Sequence, residues 1–483
     1  MTAAANRLAA VQTVPADDER PPEWTSPYAD KSVHLIGIGG CGMYGLAGVM
    51  LKCGARVSGS DRHLSAGIQQ LMEKGVRVLI GHAAEHLPSP CDLVVHSAAV
   101  PDDNPELAEA RRRGVPTSKY AEMLGNVMRL RSGLAVAGTH GKSTTTALLA
   151  YILREAGRDP TFVVGAGVEQ LGGSSGVGNG RHFVAEACEF DRSFLNITPD
   201  RAAILNIEED HLDCYSDLNA IIDVFRSFAA RVAPDGLIVA NGDDTAVTSA
   251  LAGAPAAVET FGFSPDNTWA AVNLTHETGR YRFDILHEGK PFAHAALNHL
   301  SGVHHVANAL AATAMAWSTG VTREAILHGL SGFRGAQRRM TVRGQGRGVT
   351  VIDDYGHHPT EVAVTLQAIR ETYPGRRLWL VFQPHQHSRT RFLMDDFARC
   401  FGQADRVLVP DIYFVRDSEA ERQAVSSRDL VARICGAGGD AVYLPSFDAI
   451  VGYLLTETRP SDVVVTMGAG DVWKIADELV RRL

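Results

Sequence analysis

Residues 134–146, LAVAGTHGKSTTT, lead an apolar run into a glycine turn, then into a lysine and a row of hydroxyl residues. This is the order of a strand, a phosphate cradle and a helix start. Backbone N–H groups around Gly138 and Gly141, with the positive end of the helix dipole, can hold phosphate oxygens; Lys142 reaches the terminal phosphates and the Ser143 hydroxyl coordinates Mg2+. Thr139, His140 and Thr144 complete the expected ATP-binding loop. The longer Walker pattern needs a glycine where Val136 stands, so the motif is the shorter G-T-x-G-K-S form.

Upstream, residues 33–61 read VHLIGIGGCGMYGLAGVMLKCGARVSGSD. Gly37, Gly39 and Gly42 match G-x-G-x-x-G between a strand and a helix, with Gly40 and Met43 in the same turn and Asp61 closing the next strand. A glycine turn before a helix holds any diphosphate by the same N–H geometry, so the motif alone leaves NAD and other nucleotide diphosphates open. The run DLVVHSAAV (92–100) predicts another buried strand with Ser97 near its carboxyl end, where open α/β sheets place their ligands.

Downstream, the helix opened by Lys142 is followed by LGGSSGVGNG (171–180), whose composition predicts a mobile loop. HFVAEACEFDRSFLNITPDRAAILNIEEDHLD (182–213) then holds two short β-type runs ending in acidic residues. Glu186, Glu189, Asp191, Asp210 and His211 are expected to gather beside the phosphates. Mg2+ is a hard cation that takes oxygen ligands, so Glu186 and Ser143 are its expected ligands, with His211 as a further candidate. Residues 268–300 alternate polar and apolar around ETGR and HEGK, which predicts antiparallel hairpins at the edge of the central sheet. Helix 303–318 carries Asn308 near its start, and GFRGAQRR (332–339) closes the domain with two arginines suited to phosphate or ribose across a cleft.

The last third again alternates strands with helices, hence another largely parallel sheet. Two of its strand ends are chemically dense. DDYGHHP (353–359) sets Asp353, Asp354, Tyr355, His357 and His358 before a proline at a helix start, and FQPHQHSRTR (382–391) sets His385, His387, Arg389 and Arg391 at another.

A chain of 483 residues divides into about three domains. The expected divisions are a flexible extension over 1–30, then 31–131, 132–340 and 341–483. The net charge of −9 argues against a general nucleic-acid binder. Seven cysteines without a C-x-x-C pair read as reduced, buried thiols of a cytoplasmic protein. With no apolar run of about 18 residues and no signal-peptide layout, no membrane insertion is expected.

Taken together, GIGGCGMYGL, AGTHGKSTTT, EACEFDRSF, LNIEEDHLD, NALAATAMA, FRGAQRR, DDYGHHPTEV and FQPHQHSRTR resemble the Mur ligases, in family order from about residue 31 onward. The resemblance implies an α/β protein of three domains: an N-terminal Rossmann-like one for a UDP-sugar, a central P-loop ATPase-type one, and a C-terminal Rossmann-like one for an amino acid and part of the ATP. It implies ATP-dependent joining of a carboxylate to an amine with Mg2+, the substrates being UDP-N-acetylmuramate and L-alanine, or a peptide in a close relative, in a monomer or homodimer. Gly37, Gly39, Gly40, Gly42, Met43, Asp61 and Ser97 would then hold the UDP-sugar, not NAD. Lys142 matches the phosphate lysine; Ser143, Glu186 and His211 match metal positions. Asn308, Arg339 and Asp354 match contacts to adenine, phosphate and ribose, and Tyr355, His357, His385 and Arg389 match the amino-acid pocket. Lys142, His211 and His357 are the expected catalytic groups. The chain departs from the family pattern at Cys188 and Phe190 near the metal, at His304 and His305 before Asn308, and at Gln386, where the family has an arginine associated with the substrate carboxylate.

Overall fold

The computed structural model describes residues 26–483 and contains three sheets, each filled by its own third of the chain. The first is parallel: β1 (Ser32–Ile36), β2 (Arg56–Asp61), β3 (Arg77–Ile80), β4 (Leu93–His96) and β5 (Thr117–Lys119) lie in the order β3-β2-β1-β4-β5. The order reverses between β1 and β4, so a crevice opens where Gly37 and Ser97 leave their strands.

The central sheet has ten strands: β6 (Ser132–Ala137), β7 (Thr161–Val168), β8 (Gly173–Gly176), β9 (His182–Glu186), β10 (Arg201–Ile204), β11 (Leu237–Asn241), β12 (Ala257–Gly262), β13 (Trp269–Glu277), β14 (Arg280–His287) and β15 (Lys290–Ser301). Their order is β15-β14-β13-β12-β11-β10-β6-β9-β7-β8, parallel from β13 to β7. Antiparallel pairs flank that block: β13, β14 and β15 form the meander expected from residues 268–300, and β8 pairs with β7. The phosphate-loop strand β6 therefore sits mid-sheet, with Glu186 at the end of one neighbour and Asn206 just past the other.

Successive side chains of a strand face opposite ways, and β6 shows the consequence. Leu134 and Val136 enter the core beneath helices Lys142–Glu155 and His304–Ser318, while Ala135 and Ala137 enter the core continuous with the first domain and helix Leu218–Ala229. An apolar strand buried on both faces is what a parallel sheet demands.

The third sheet runs β16-β17-β21-β18-β19-β20, from β16 (Thr341–Gly346), β17 (Val349–Asp354), β18 (Leu378–Phe382), β19 (Arg406–Val409), β20 (Ala441–Tyr443) and β21 (Val463–Met467), parallel except for edge strand β16. Both its faces are covered, Leu380 and Phe382 on one side and Trp379 and Val381 on the other. Helix Pro359–Thr372 starts with proline and with a reciprocal cap, Thr360 N–H donating to His358 Nδ1 at 3.3 Å and His358 N–H to Glu361 Oε2 at 3.4 Å.

Three expectations change. The glycine and serine tract is not a free loop throughout, because residues 173–176 form edge strand β8. The cysteines are all free but not uniformly buried: Cys53 and Cys400 are buried, whereas Cys41, Cys188, Cys214 and Cys435 are exposed. Residues 26–30 form a turn whose Asp30 N–H donates to Gly54 O at 2.9 Å, while the rest of the expected extension lies outside the described residues. No described helix is long and apolar enough to cross a membrane.

Candidate active site

The phosphate loop is held open from below by one residue. Asn206 accepts from His140 N–H at 2.7 Å and donates to His140 O at 3.1 Å, and its carbonyl accepts from Thr139 N–H at 3.0 Å. Gly141 is the N-cap of helix Lys142–Glu155, in the left-handed region at φ 82°, and no side chain caps the helix. A Cβ there would stand 2.7 Å from Asn308 Oδ1, so glycine lets the asparagine close over the loop and leaves first-turn N–H groups to a ligand. Ser143 and Thr144 are buried just beyond.

Lys142 is part-buried beside a carboxylate. Its ammonium lies 2.9 Å from Glu189 Oε2 and 3.0 Å from the Thr139 carbonyl. Burial alone would depress it, but Glu189 outweighs burial and holds the group above its ordinary range. The same pairing holds Glu189 below the carboxylate range despite burial. His211 Nε2 reaches Glu189 at 3.6 Å, and its Nδ1 is buried with no hydrogen-bond partner.

Glu186 ends β9 beside the loop. Burial pushes its carboxyl up, opposed by hydrogen bonds from Gly165 N–H and the Ser143 hydroxyl. Ser143 and Glu186 thus come together as an oxygen donor pair suited to a hard cation, and the unpartnered Nδ1 of His211, whose Nε2 faces Glu189, is a further nitrogen donor. One further cluster has metal-like spacing: His140, Glu208 and His358 offer ligand atoms within 4.8 Å of one another. Burial opposes charge on His140, but Glu208 at 3.5 Å and Glu361 at 3.2 Å push it up to about 9. In the metal-free protein His140 is therefore an imidazolium paired with Glu208 and Glu361.

Between the central and third sheets a cavity of about 170 Å3 is lined by Gly141, His305, Asn308, Arg339, Asp354 and Glu361, among others. Three of these, Asn308, Arg339 and Asp354, are the residues expected at ATP. Asp354 is buried, accepts from Met340 N–H at 2.8 Å and Gly356 N–H at 2.7 Å, and is pushed up by burial. The two arginines separate in role. Arg338 is anchored on Asp353 at 2.9 Å and on the Gly468 carbonyl at 2.7 Å, whereas Arg339 turns into the cavity, 3.8 Å from Glu361. Burial and Arg339 lower His304 to about 4, so a neutral ring stands on the cavity wall.

The amino-acid candidates converge one step further along. Tyr355 and His357 meet edge to face at 5.4 Å, and His385 lies 5.9 Å from His357. Burial first, then surrounding positive charge, lowers His357 to about 4 and His385 to about 3. Arg389 is buried and binds Asp210 of the central domain through Nε at 3.0 Å and Nη2 at 2.8 Å. Burial would raise Asp210, but Arg389 holds it far below the carboxylate range.

In the first domain, Gly37 has φ 80° and a Cβ there would stand 3.2 Å from Ser97 Cβ, so the crevice between β1 and β4 narrows to backbone. Gly39 N–H donates to Asp61 Oδ2 at 2.8 Å, which commits Asp61 to the turn. Gly40 caps helix Cys41–Lys52 without a side-chain bond, and Gly42 lies in that helix's first turn. The Met43 side chain is buried in the core, leaving only its backbone for a ligand.

Sequence reasoning gave no role to Glu361 or Glu208 and placed Glu189 only loosely. Glu361 contacts His140, Arg339 and the His357 backbone. Its place as third residue of a helix begun by His358-Pro359 is the capping-box position that could have flagged it.

Three family models match in order: "Mur ligase family, catalytic domain" over residues 32–132, "Mur ligase middle domain" over 136–316 and "Mur ligase, glutamate ligase domain" over 338–470. A UDP-N-acetylmuramate--L-alanine ligase of Acetivibrio thermocellus is 40% identical over 459 residues, 94% of this chain and 97% of its own. Among solved structures, the UDP-N-acetylmuramate-alanine ligase of Thermotoga maritima superposes with a TM-score of 0.78 at 26% identity, covering 93% of this chain and 98% of that one. A murein peptide ligase of Psychrobacter arcticus follows at 0.69 and 27%, with the same coverage.

Proposed function

We propose, from the premise that this chain belongs to the Mur ligase family, that it joins L-alanine to the carboxylate of UDP-N-acetylmuramate with cleavage of ATP, a step of peptidoglycan precursor synthesis. The observation that carries this reading is 40% identity over 94% of the chain to a ligase of that activity. The convergence of two phosphate-binding helix starts and one histidine-rich pocket supports it. The domains divide near residues 131 and 340, with ATP shared between the central and third domains.

In this reading the diphosphate of the UDP-sugar lies at Gly37, Gly39, Gly40 and Gly42, with Ser97 across the crevice, Asp61 bracing the turn and the Met43 N–H in the helix's first turn. ATP lies along Gly138 to Thr144, with its adenine at Asn308, a phosphate at Arg339 and its ribose at Asp354. Ser143 and Glu186 would hold Mg2+, which would neutralise phosphate charge, with His211 as the donor at a second metal position. The sugar carboxylate attacks the γ-phosphorus, the bond to the ADP oxygen breaks, and an acyl phosphate forms. Lys142 leaves Glu189 for the γ-phosphate and stabilises the equatorial oxygens, so catalysis of this step is positioning and charge.

The amine then attacks the acyl carbon, and inorganic phosphate leaves. It must arrive unprotonated. His357 Nδ1 lies 3.2 Å from the Tyr355 carbonyl and donates to it, which leaves Nε2 as the acceptor. His357 Nε2 is the proposed acceptor of the amine proton, its ligand-free value of about 4 being raised by the carboxylate and phosphate charges that the substrates bring beside it. Phosphate release from Mg-ATP and UDP-N-acetylmuramate is expected to depend on L-alanine; release that depends only on a peptide would overturn the reading in favour of a murein peptide ligase.

A further inference from the structure

An amino acid approaching this pocket brings an α-carboxylate, which needs a positive charge to meet it. The obvious donor is already committed. Arg389 gives Nε and Nη2 to Asp210, and its Nη1 lies 3.2 Å from His385 Nδ1. A buried guanidinium compensated by a buried carboxylate has little net charge left for a third group. Gln386 is uncharged and buried, and His357 and His385 are neutral at pH 7.

One cation in this corner is different. Residues 413–417 run alongside 384–388: Tyr413 N–H donates to the Pro384 carbonyl at 2.8 Å, Gln386 N–H to the Tyr413 carbonyl at 3.1 Å, and the Tyr413 ring stacks on His385 at 5.5 Å. Asp417 closes the same track by accepting from Ser388 Oγ at 2.6 Å. Arg416 lies between these two anchors, its backbone turned into the left-handed region at φ 59°. Its guanidinium carbon sits 4.4 Å from the centroid of the Phe190 ring, and Phe190 in turn meets His211 edge-on at 5.1 Å. Among the described residues no carboxylate pairs with Arg416, whereas Arg391 nearby is paired with Glu421 at 3.2 Å.

We infer that Arg416, held against Phe190, is the residue that recognises the α-carboxylate of the incoming amino acid. The inference rests on the ligase reading above and adds a specificity residue to it. A guanidinium held over the face of a ring makes no hydrogen bond to it and keeps N–H donors for a bidentate carboxylate, which an amine or amide side chain does not reproduce. Phe190, standing where the family has a polar residue, then serves as the platform that positions the fork across the domain boundary.

The test compares L-alanine with L-alaninamide, which has the same amine but no carboxylate, under saturating Mg-ATP and UDP-N-acetylmuramate. R416Q is expected to raise KM for L-alanine about 10–100-fold, leave KM for ATP unchanged and leave turnover of L-alaninamide unchanged, with R416K between. F190L, which keeps Arg416 but removes its platform, should raise KM for L-alanine severalfold. An unchanged KM for L-alanine in R416Q, or equal losses with both amines, would overturn the assignment, and F190L provides the same comparison of amines should R416Q not fold. Wild-type protein that turns over a peptide but not L-alanine would strike the ligase reading as well, an outcome distinct from the first two.

Discussion

Arg389 sets Nε and Nη2 at 3.0 and 2.8 Å from the same carboxylate oxygen of Asp210, joining the third domain to the turn that follows β10. Both side chains are buried. Removing one leaves the other as an uncompensated buried charge, which costs about 3–5 kcal/mol. D210N should therefore lower the thermal midpoint measured by calorimetry, and D210N combined with R389M should recover part of the loss. An additive double variant would show that the two do not act as a pair.

Lys142 and Glu189 form a second pair, at 2.9 Å, part-buried on the lysine side and buried on the other, in which the lysine is the proposed γ-phosphate contact. K142M should reduce kcat by at least about 1,000-fold, since it removes the positive charge at the γ-phosphate. It should also destabilise the ligand-free protein, because Glu189 remains buried. Adding E189Q should restore the thermal midpoint without restoring turnover. The two readouts separate fold from catalysis.

Gly141 is the tightest glycine of the proposed ATP loop. G141A places a methyl group 2.7 Å from Asn308 Oδ1 at a left-handed φ, a backbone cost of about 1–2 kcal/mol before any clash. Binding of an ATP analogue by calorimetry should weaken at least tenfold, while binding of UDP-N-acetylmuramate should be unchanged.

His140 makes the cleft sensitive to alkaline pH. Its folded value, raised to about 9 against an ordinary 6.5, means its ion pairs contribute fully below about 6.5 and fade as pH rises through 9. Glu208 and Glu361 lie on the opposite side: held below 4.5, they contribute above that value and lose their contribution on acidification. Stability from this cluster should hold a plateau between about pH 4.5 and 6.5 and decline toward 9. The decline should flatten in H140Q, read as thermal midpoint against pH.

The alternation of strands and helices, both glycine turns and the two chemically dense strand ends were legible because each is local: a few consecutive residues set the periodicity and the cap. Edge strand β8 was not, since Gly173–Gly176 carries no pattern of its own and becomes a strand only by pairing with β7. Asp210 with Arg389, and His140 with Glu361, were likewise hidden, because pairs so distant in sequence are chosen by the packing of separate domains. Asp61 was read correctly as the end of β2, yet its bond to Gly39 N–H gives it work in the turn that the motif does not announce.

Edge strand β8 also bears on the spacing of the two nucleotide sites. Helix Cys41–Lys52, whose N-terminus is the proposed UDP-sugar site, rests through Gly45 on Ser175 of β8 and on Val163 of β7, so closely that a Cβ on Gly45 would come within 2.8 Å of the serine. Val163 lies in register with Ala185, one residue before Glu186. The seam therefore acts as a gauge: the side chain that Gly45 lacks, rather than any that is present, fixes how far one nucleotide-binding turn stands from the other. A single methyl group at Gly45 would widen that distance and hold the carboxylate donor and the phosphate donor apart.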